Sequence, residues 1–310
     1  MTLDPAAAMS LPSIALIFNP AARGEKARRF RESLGQLRGE CVLFETTEAG
    51  SATVLAAKAV QDGYKTIVAS GGDGTVNEVV NGMAKVSGCL DRVRLGVLPL
   101  GTMNIFAREL GLPLSVRRAW QTIRFGQARA VDLPLAKVQT PSGQGERFFV
   151  QMAGVGLDGD AVGGVSIPLK KKIGPLAYLF STFKALRNKQ PRLTAIWDGG
   201  AARGEWMCVG NGRFFGGPVV LFPDAKPFDG CLDLCVFPRV NSGSVSRGVA
   251  SMVLGRIGDW SGAVHHRMEA LTIEGPAGTR VQADGEFIGT LPLGITLRQL
   301  ALKVMVPSGK

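Results

Sequence analysis

Short apolar runs alternate with amphipathic stretches along the N-terminal third of the chain. The apolar runs predict strands at residues 13–18, 41–44, 65–69 and 95–98. The stretches between them predict helices over 25–37 and 52–61, and two more that end near Gly82 and at Gly111. Strands that alternate with helices are typical of a mostly parallel sheet covered by helices. We therefore expect a Rossmann-like α/β domain over residues 1–132.

After about Val131 the pattern changes to strand-like segments separated by glycine and proline, with one or two helices inserted. Strands are predicted at 148–152, 193–197, 206–210, 232–237 and 271–273. This pattern predicts a β-rich, antiparallel, sandwich-like domain over 133–296, with 297–310 returning to complete the first domain. The expected fold class is α/β followed by β-rich, with a cleft between the two domains, where small-molecule sites commonly lie.

Charge narrows the choice of partners without deciding it. The 310 residues include 36 Lys and Arg against 25 Asp and Glu, a formal net charge of +11. Such a chain is attracted to anions: nucleic acid, a nucleotide or an anionic membrane surface. Five cysteines without a CxxC pair give no disulfide framework or zinc site and fit a reducing cytosol. No apolar run approaches the roughly 18 residues that a membrane-spanning helix needs.

The most informative segment is SGGDGTVNE at residues 70–78, where a predicted strand passes into a helix. Its three glycines allow the backbone to turn sharply and approach a ligand closely. Thr75 and Glu78 have capping-box spacing, so we expect the helix to begin at Thr75, with its N–H groups facing a phosphate. A plain tight turn is the alternative. Asp73 favours the phosphate site, because a carboxylate beside phosphate predicts an intervening Mg²⁺.

A second strand, glycine turn and helix start follow at residues 95–108, LGVLPLGTMNIFAR, where Thr102 can contact a phosphate or cap the helix. The first segment matches the GGDGT signature of diacylglycerol, sphingosine, ceramide and NAD kinases. The second resembles the PxGTxNDxAR segment of the diacylglycerol kinase family, except that Ile105 stands where that family has aspartate. Further similarities run in order along almost the whole chain, from about residue 13 to 302.

The resemblance implies a set of nucleotide-binding residues. Asn19 lies in a segment similar to the family's N-terminal NPxSG, and Thr46 resembles the threonine of its TxxxGxA segment. The complete set implied for ATP is Asn19, Thr46, Gly71, Gly72, Asp73, Gly74, Thr75, Val76, Asn77 and Thr102.

Two C-terminal segments carry the remaining implied residues. Residues 223–233 resemble the family's P-x-A-x-x-x-D-G-x-L-D stretch, which implies a structural Mg²⁺ bound by the Asp229 side chain and the Lys226 and Cys231 carbonyls. The segment QADGE at 282–286 resembles the family's DGE, which implies Glu286 as the general base, with Asp73 also catalytic. Read alone, either Asp-Gly pair predicts only a hairpin turn.

A basic stretch at residues 170–192 has seven Lys and Arg and no acidic residue. Its apolar residues fall at helical spacing, so the stripe either packs on the second domain or faces a membrane, while the lysines favour contact with anionic headgroups.

These observations predict an ATP- and Mg²⁺-dependent lipid kinase that acts on a membrane lipid such as diacylglycerol. We expect it in the cytoplasm, peripherally associated with the anionic inner face of the membrane, and without a nucleic-acid partner. The alternatives are a sphingoid-base or ceramide kinase, an NAD kinase-like enzyme, and a catalytically silent regulator that binds lipid or nucleotide.

Overall fold

The computed structural model describes residues 13–20, 25–34, 39–157, 190–217, 219–241, 243 and 262–308. The chain divides into two compact units. The first contains residues 1–104, 112–129 and 302–310, and the second contains 105–111 and 130–301. The assignment of nucleotide and lipid binding to separate domains stays a prediction.

The first unit is an α/β structure, as its alternating sequence pattern predicts. Its strands are β1 (Ile14–Phe18), β2 (Val42–Glu45), β3 (Thr66–Gly71) and β4 (Arg94–Pro99). The helices in chain order are α1 (Glu25–Ser33), α2 (Ser51–Gln61), α3 (Asp73–Ala84), α4 (Cys89–Arg92), α5 (Ile105–Glu109) and α6 (Val116–Phe125), of which α5 belongs to the second unit. Every residue of β3 is buried, as expected of a strand with a helix layer on each face.

The strands of the first unit form a parallel sheet in the order β2-β1-β3-β4. The end of the last strand, β15 (Glu286–Val306), joins this sheet through parallel pairing of Val304 with Leu95. The chain leaves β1 toward β2 on one side and later reaches β3 on the other side. The order of connection therefore reverses between β1 and β3, and ligands of open α/β sheets bind at the carboxyl ends of strands at such a point.

The second unit is β-rich. Its strands are β5 (Gln127–Thr140), β6 (Gly143–Phe148), β7 (Met152–Gly156), β8 (Leu193–Trp197), β9 (Gly200–Gly204), β10 (Trp206–Gly210), β11 (Leu232–Phe237), β12 (Val264–Met268), β13 (Ala270–Glu274), β14 (Arg280–Ala283) and most of β15. Strands β12-β11-β10-β7-β14-β15 pair antiparallel in that order. Alternate residues of the strands of this unit pack into an apolar core, which confirms the predicted β-rich, sandwich-like class.

One predicted strand is wrong. The apolar segment 148–152 is not one strand: Phe148 ends β6, Met152 begins β7, and residues 149–151 connect them. Its backbone N–H groups at Val150, Gln151 and Met152 all donate to the side chain of Asp284, at 2.8–3.1 Å, instead of to a neighbouring strand. Hydrophobicity alone could not distinguish a backbone that pairs with a neighbouring strand from one that donates to a side chain.

Within the described part of the chain, none of the helices has the length and apolar character needed to cross a bilayer. The basic stretch at 170–192 lies outside the described residues except for its last three positions.

Candidate active site

The first glycine turn joins β3 to α3. Strand β3 ends at Gly71, Gly72 is the N-cap residue without a side-chain cap, and α3 begins at Asp73. The predicted start at Thr75 with a capping box is therefore wrong. The Glu78 carboxylate accepts instead from the Ala52 N–H at 3.1 Å, at the start of the neighbouring helix α2. Because Gly72 has no side chain, it cannot cap the N-terminus of α3, and the N-terminus of a helix favours a nearby anion.

The second glycine turn contacts the first one directly. The N–H groups of Leu100 and Gly101 both donate to the Gly71 carbonyl, at 2.9 and 3.2 Å. A Cβ atom on Gly101 would lie 2.5 Å from the Gly72 Cα, a distance that real Cβ atoms do not adopt. Glycine is therefore required at position 101 by this approach of two backbones. Thr102 follows as an exposed residue of the same turn.

The segments after β1 and β2 join this arrangement. The Asn19 N–H donates to the Ser70 carbonyl at 3.1 Å, and its side-chain amide donates to the Thr75 hydroxyl at 3.4 Å. The Thr46 N–H donates to the Phe18 carbonyl at 2.9 Å. Asn19, Thr46 and the GGDGT segment thus follow three neighbouring strands of the parallel sheet at one edge, on both sides of the reversal point.

Asp73 and Asn77 lie in the same helix but differ in exposure and in hydrogen bonding. Asp73 is part-exposed in the first turn of α3, where a single carboxylate beside a phosphate fits Mg²⁺, an ion usually held by one or two carboxylates plus substrate phosphates. Asn77 is only 1% exposed, and its side-chain oxygen accepts from the Asn81 amide at 3.1 Å. Asn77 therefore stabilises the interior of α3, and its predicted contact with nucleotide stays a prediction.

In the second unit, β14 and β15 form a hairpin around the DGE segment. Ala283 pairs with Glu286, and the two turn residues, Asp284 and Gly285, have φ angles of +47° and +80°. Positive φ at both central positions is the type I′ turn favoured by Asp-Gly. The Asp284 carboxylate accepts the three N–H groups of the connection between β6 and β7. Asp284 is thus committed to backbone hydrogen bonds.

Glu286 differs from Asp284 in its surroundings. Its side chain is 40% exposed and forms an ion pair with Arg147 at 2.9 Å. A carboxylate that is accessible and oriented by an ion pair is suited to accept a proton from a substrate. Arg147 was not predicted from sequence, because it is separated from Glu286 by 139 positions and lies in no recognised motif.

A further buried carboxylate on α5 escaped sequence analysis. The Glu109 side chain is 2% exposed and accepts from the Arg213 backbone N–H at 2.7 Å and from the Gln151 side-chain amide at 3.1 Å. A Cβ on Gly212 would lie 2.7 Å from a Glu109 oxygen. Glu109 follows Ile105 by four positions, so α5 carries a carboxylate although the aspartate of the family pattern is missing at Ile105.

The predicted metal ligands are placed near one another but are already occupied. One oxygen of Asp229 accepts the Cys231 N–H at 3.2 Å, and the other forms an ion pair with Arg267. The Lys226 carbonyl accepts the Phe228 N–H at 2.7 Å. A positively charged guanidinium on the only carboxylate of the predicted set repels a second cation, so these groups as arranged do not fit Mg²⁺.

Two neighbouring aspartates complete this region. Asp132 is 1% exposed, and its carboxylate accepts the N–H groups of Gly230 and Leu300 at 2.8 and 2.7 Å. Asp233 is 4% exposed, and one of its oxygens has no partner within the described residues. Burial raises the pKa of Asp233 to about 6, although the nearby Arg267 lowers it.

Both halves of the chain match known protein domain families. Residues 13–136 match the diacylglycerol kinase catalytic domain, and residues 152–306 match the domain described as YegS C-terminal NAD kinase beta sandwich-like. The chain belongs to the diacylglycerol kinase catalytic family. The resemblance inferred from the GGDGT and PxGTxN motifs is thereby confirmed.

Individual members of this family resemble the chain over almost its full length. Diacylglycerol kinases from the Staphylococcus aureus strains bovine RF122 / ET3-1 and MRSA252 are each 28% identical over 300 residues, which cover 94% of this chain and 92% of theirs. A crystal structure of a putative diacylglycerol kinase from Bacillus anthracis str. Sterne aligns with a TM-score of 0.75 at 26% identity. That alignment covers 95% of this chain and 97% of the other.

The structure predicts that Asp284 stabilises the fold. Asp284→Asn places an amide donor against backbone N–H groups, and leaving one buried donor unsatisfied costs about 1–3 kcal/mol. We expect a lower midpoint of urea unfolding, measured by tryptophan fluorescence. Asp198→Asn is the matched control, because Asp198 and Gly199 form an exposed two-residue turn between Trp197 and Gly200. Equal midpoints for the two variants would contradict the assigned role.

Proposed function

We propose that the protein is an ATP-dependent kinase that phosphorylates a hydroxyl group of a membrane lipid, with diacylglycerol as the first candidate. The observation that carries the proposal is the contact between the two glycine turns, which brings the second turn beside the N-terminus of α3 at the reversal point of the sheet. Family membership and the names of the Staphylococcus aureus relatives support the choice of lipid.

The first unit supplies the nucleotide-binding residues in this proposal. Backbone N–H groups between Gly72 and Thr75 donate to ATP phosphate oxygens, because glycine permits close approach and the helix N-terminus carries partial positive charge. Thr102 contributes a hydroxyl from the second turn, and Asp73 would hold Mg²⁺ together with the phosphates. When bound, this ion would supply positive charge beside the transferring phosphoryl group.

Glu286 accepts the proton of the acceptor alcohol. The lipid O–H bond breaks as the oxygen bonds to the γ-phosphorus, the proton moves to the Glu286 carboxylate, and the bond from phosphorus to the leaving oxygen of ADP breaks. Arg147 orients the carboxylate through its 2.9 Å ion pair. The reaction requires positioning and charge stabilisation and no covalent enzyme intermediate.

The proposed lipid substrate requires contact with a membrane. The basic stretch at 170–192, with seven Lys and Arg and no acidic residue, provides charge for an anionic leaflet. We place the protein in the cytoplasm, at the inner face of the membrane, on the basis of this charge and the cysteine pattern.

A labelled-ATP assay tests the proposed function. Purified protein with Mg²⁺ and [γ-³²P]ATP should label diacylglycerol in a panel that also contains a sphingoid base, ceramide and NAD. Glu286→Gln should lower turnover by about 10²–10⁴-fold, the usual contribution of general base catalysis, with ATP affinity nearly unchanged. Glu146→Gln is the control, because Glu146 is an exposed carboxylate paired with Lys137 on the same sandwich.

Each outcome of this assay is informative. Labelling of a sphingoid base, ceramide or NAD instead would replace the proposed substrate, and no transfer to any acceptor would favour the silent regulator. Turnover of Glu286→Gln within tenfold of the wild type would exclude Glu286 as the base.

The contact between the glycine turns predicts a nucleotide-binding defect. Gly101→Ala forces the Gly72 backbone to move, and overpacking of this kind costs about 1–3 kcal/mol. We expect ATP affinity, measured by calorimetry, to fall about tenfold or more, since 1.4 kcal/mol corresponds to a factor of ten. Gly294→Ala is the matched control, because its Cβ would meet only the Lys137 Cβ at 3.9 Å. Unchanged affinity in Gly101→Ala would show that the turns tolerate separation.

Membrane contact is tested by removing charge. Replacement of Lys170, Lys171 and Lys172 by glutamine should weaken flotation with anionic vesicles and reduce its salt dependence, because screening acts within a Debye length of about 8 Å at physiological ionic strength. Activity on lipid in neutral detergent micelles should remain close to that of the wild type. Equal losses with vesicles and micelles would indicate a folding or active-site defect.

A further inference from the structure

A single arginine connects two aspartates near the predicted metal site. Asp233 on β11 and Arg267 on β12 are directly paired in the antiparallel register. The Arg267 guanidinium contacts Asp233 through Nε at 3.5 Å and Asp229 through Nη2 in a shorter ion pair. One rigid, planar cation therefore bridges a carboxylate of the strand and a carboxylate of the turn that precedes it.

This arginine engages the one side-chain ligand that the predicted Mg²⁺ would need. The Asp229 side chain is divided between Arg267 and the Cys231 N–H, and the Lys226 carbonyl is bonded to the Phe228 N–H. Nowhere in the described ranges do three or more His, Cys, Asp or Glu side chains form a group that could hold a metal. Ca²⁺ and Mg²⁺ both require several oxygen ligands.

The position of the bridge explains why a cation is needed there. Asp233 is 4% exposed, whereas Asp229 and Arg267 lie at the protein surface, so two carboxylates share a partly solvated region. Like charges in such a region destabilise each other unless a cation lies between them. The same turn holds Gly230, whose N–H donates to the buried Asp132 at 2.8 Å. Displacement of the turn would therefore also leave Asp132 with one donor fewer.

We propose that Arg267 takes the place which the family resemblance gives to a structural Mg²⁺, so that the turn at 226–231 is held by an internal guanidinium and requires no divalent ion. The proposal concerns the structural site alone. The Mg²⁺ that accompanies ATP at Asp73 is a separate matter, and the inference is independent of which substrate is phosphorylated.

Thermal unfolding without nucleotide tests the proposal. Wild-type protein dialysed against EDTA should contain less than one equivalent of metal by mass spectrometry, and its melting temperature should be the same in EDTA and in MgCl₂ at equal ionic strength. Arg267→Met should melt about 2–4 °C lower in EDTA, the shift that a loss of about 1 kcal/mol produces in a unit of 150–250 residues. Mg²⁺ should restore part of that loss by binding the freed carboxylates.

Control variants separate this site from other effects. Arg203→Met removes an exposed arginine on β9 and should leave the melting temperature unchanged. Arg267→Lys keeps the charge and should lose less than Arg267→Met. All measurements are repeated in an Asp73→Ala background, which removes the carboxylate assigned to the ATP-bound ion.

Three results would overturn the proposal. The first is saturable stabilisation of the wild type by Mg²⁺ that survives Asp73→Ala and is lost in Asp229→Asn. The second is a stoichiometric metal retained by the wild type after EDTA treatment, a result that also decides the case if Arg267→Met fails to fold. The third is an Arg267→Met variant with unchanged stability, or one whose lost stability does not respond to Mg²⁺. Because none of these measurements uses enzyme activity, they remain decisive even if the proposed lipid kinase reaction is wrong.

Discussion

The backbone contact between Gly72 and Gly101 is the constraint on which the first unit's site depends. A Cβ on Gly101 would lie 2.5 Å from the Gly72 Cα, so the two turns meet in this way only because residue 101 is glycine. The contact also directs two N–H groups, those of Leu100 and Gly101, onto the single carbonyl of Gly71. As a result, the turn that begins α3 has a fixed position relative to the second glycine turn. The phosphate site proposed here is therefore built mainly from backbone, with few side chains involved.

The carboxylates of the second unit have separate roles that follow from their partners. Asp284 and Asp132 accept backbone N–H groups, and Glu109 is buried against Arg213 and Gln151, so each is committed to holding chain segments together. Glu286 has one arginine partner and a side chain that is 40% exposed. The two carboxylates of the DGE segment thus have different surroundings, because the turn directs Asp284 toward the β6–β7 connection and the strand directs Glu286 toward Arg147.

The local sequence pattern predicted the fold class and most of the strands. It failed where residues far away in the sequence determine the local structure. The apolar runs at Leu193–Trp197, Trp206–Gly210 and Leu232–Phe237 are strands with the expected bounds, because both burial and periodicity follow from local composition. Residues 148–152 are similarly apolar, but the N–H groups of Val150, Gln151 and Met152 are taken by Asp284, more than 130 positions away. The ion pairs of Arg147 and Arg267 were not predictable for the same reason, since no local pattern specifies a partner on another strand.

Phosphoryl transfer depends on placing two substrates and stabilising charge, and the structure reflects that demand. The features under the strongest geometric constraint are a glycine contact, a type I′ turn and backbone hydrogen bonds to buried carboxylates, whereas the proposed base is a part-exposed glutamate with one ion pair. A substitution that moves the backbone by a few tenths of an ångström, as at Gly101 or Asp284, therefore changes the position of every group attached to it. In this family member, the departure at Ile105 is accompanied by a buried Glu109 on the same short helix. The carboxylate on α5 is thus held by its contacts with Arg213 and Gln151, and a motif that records only residue 105 does not reveal it.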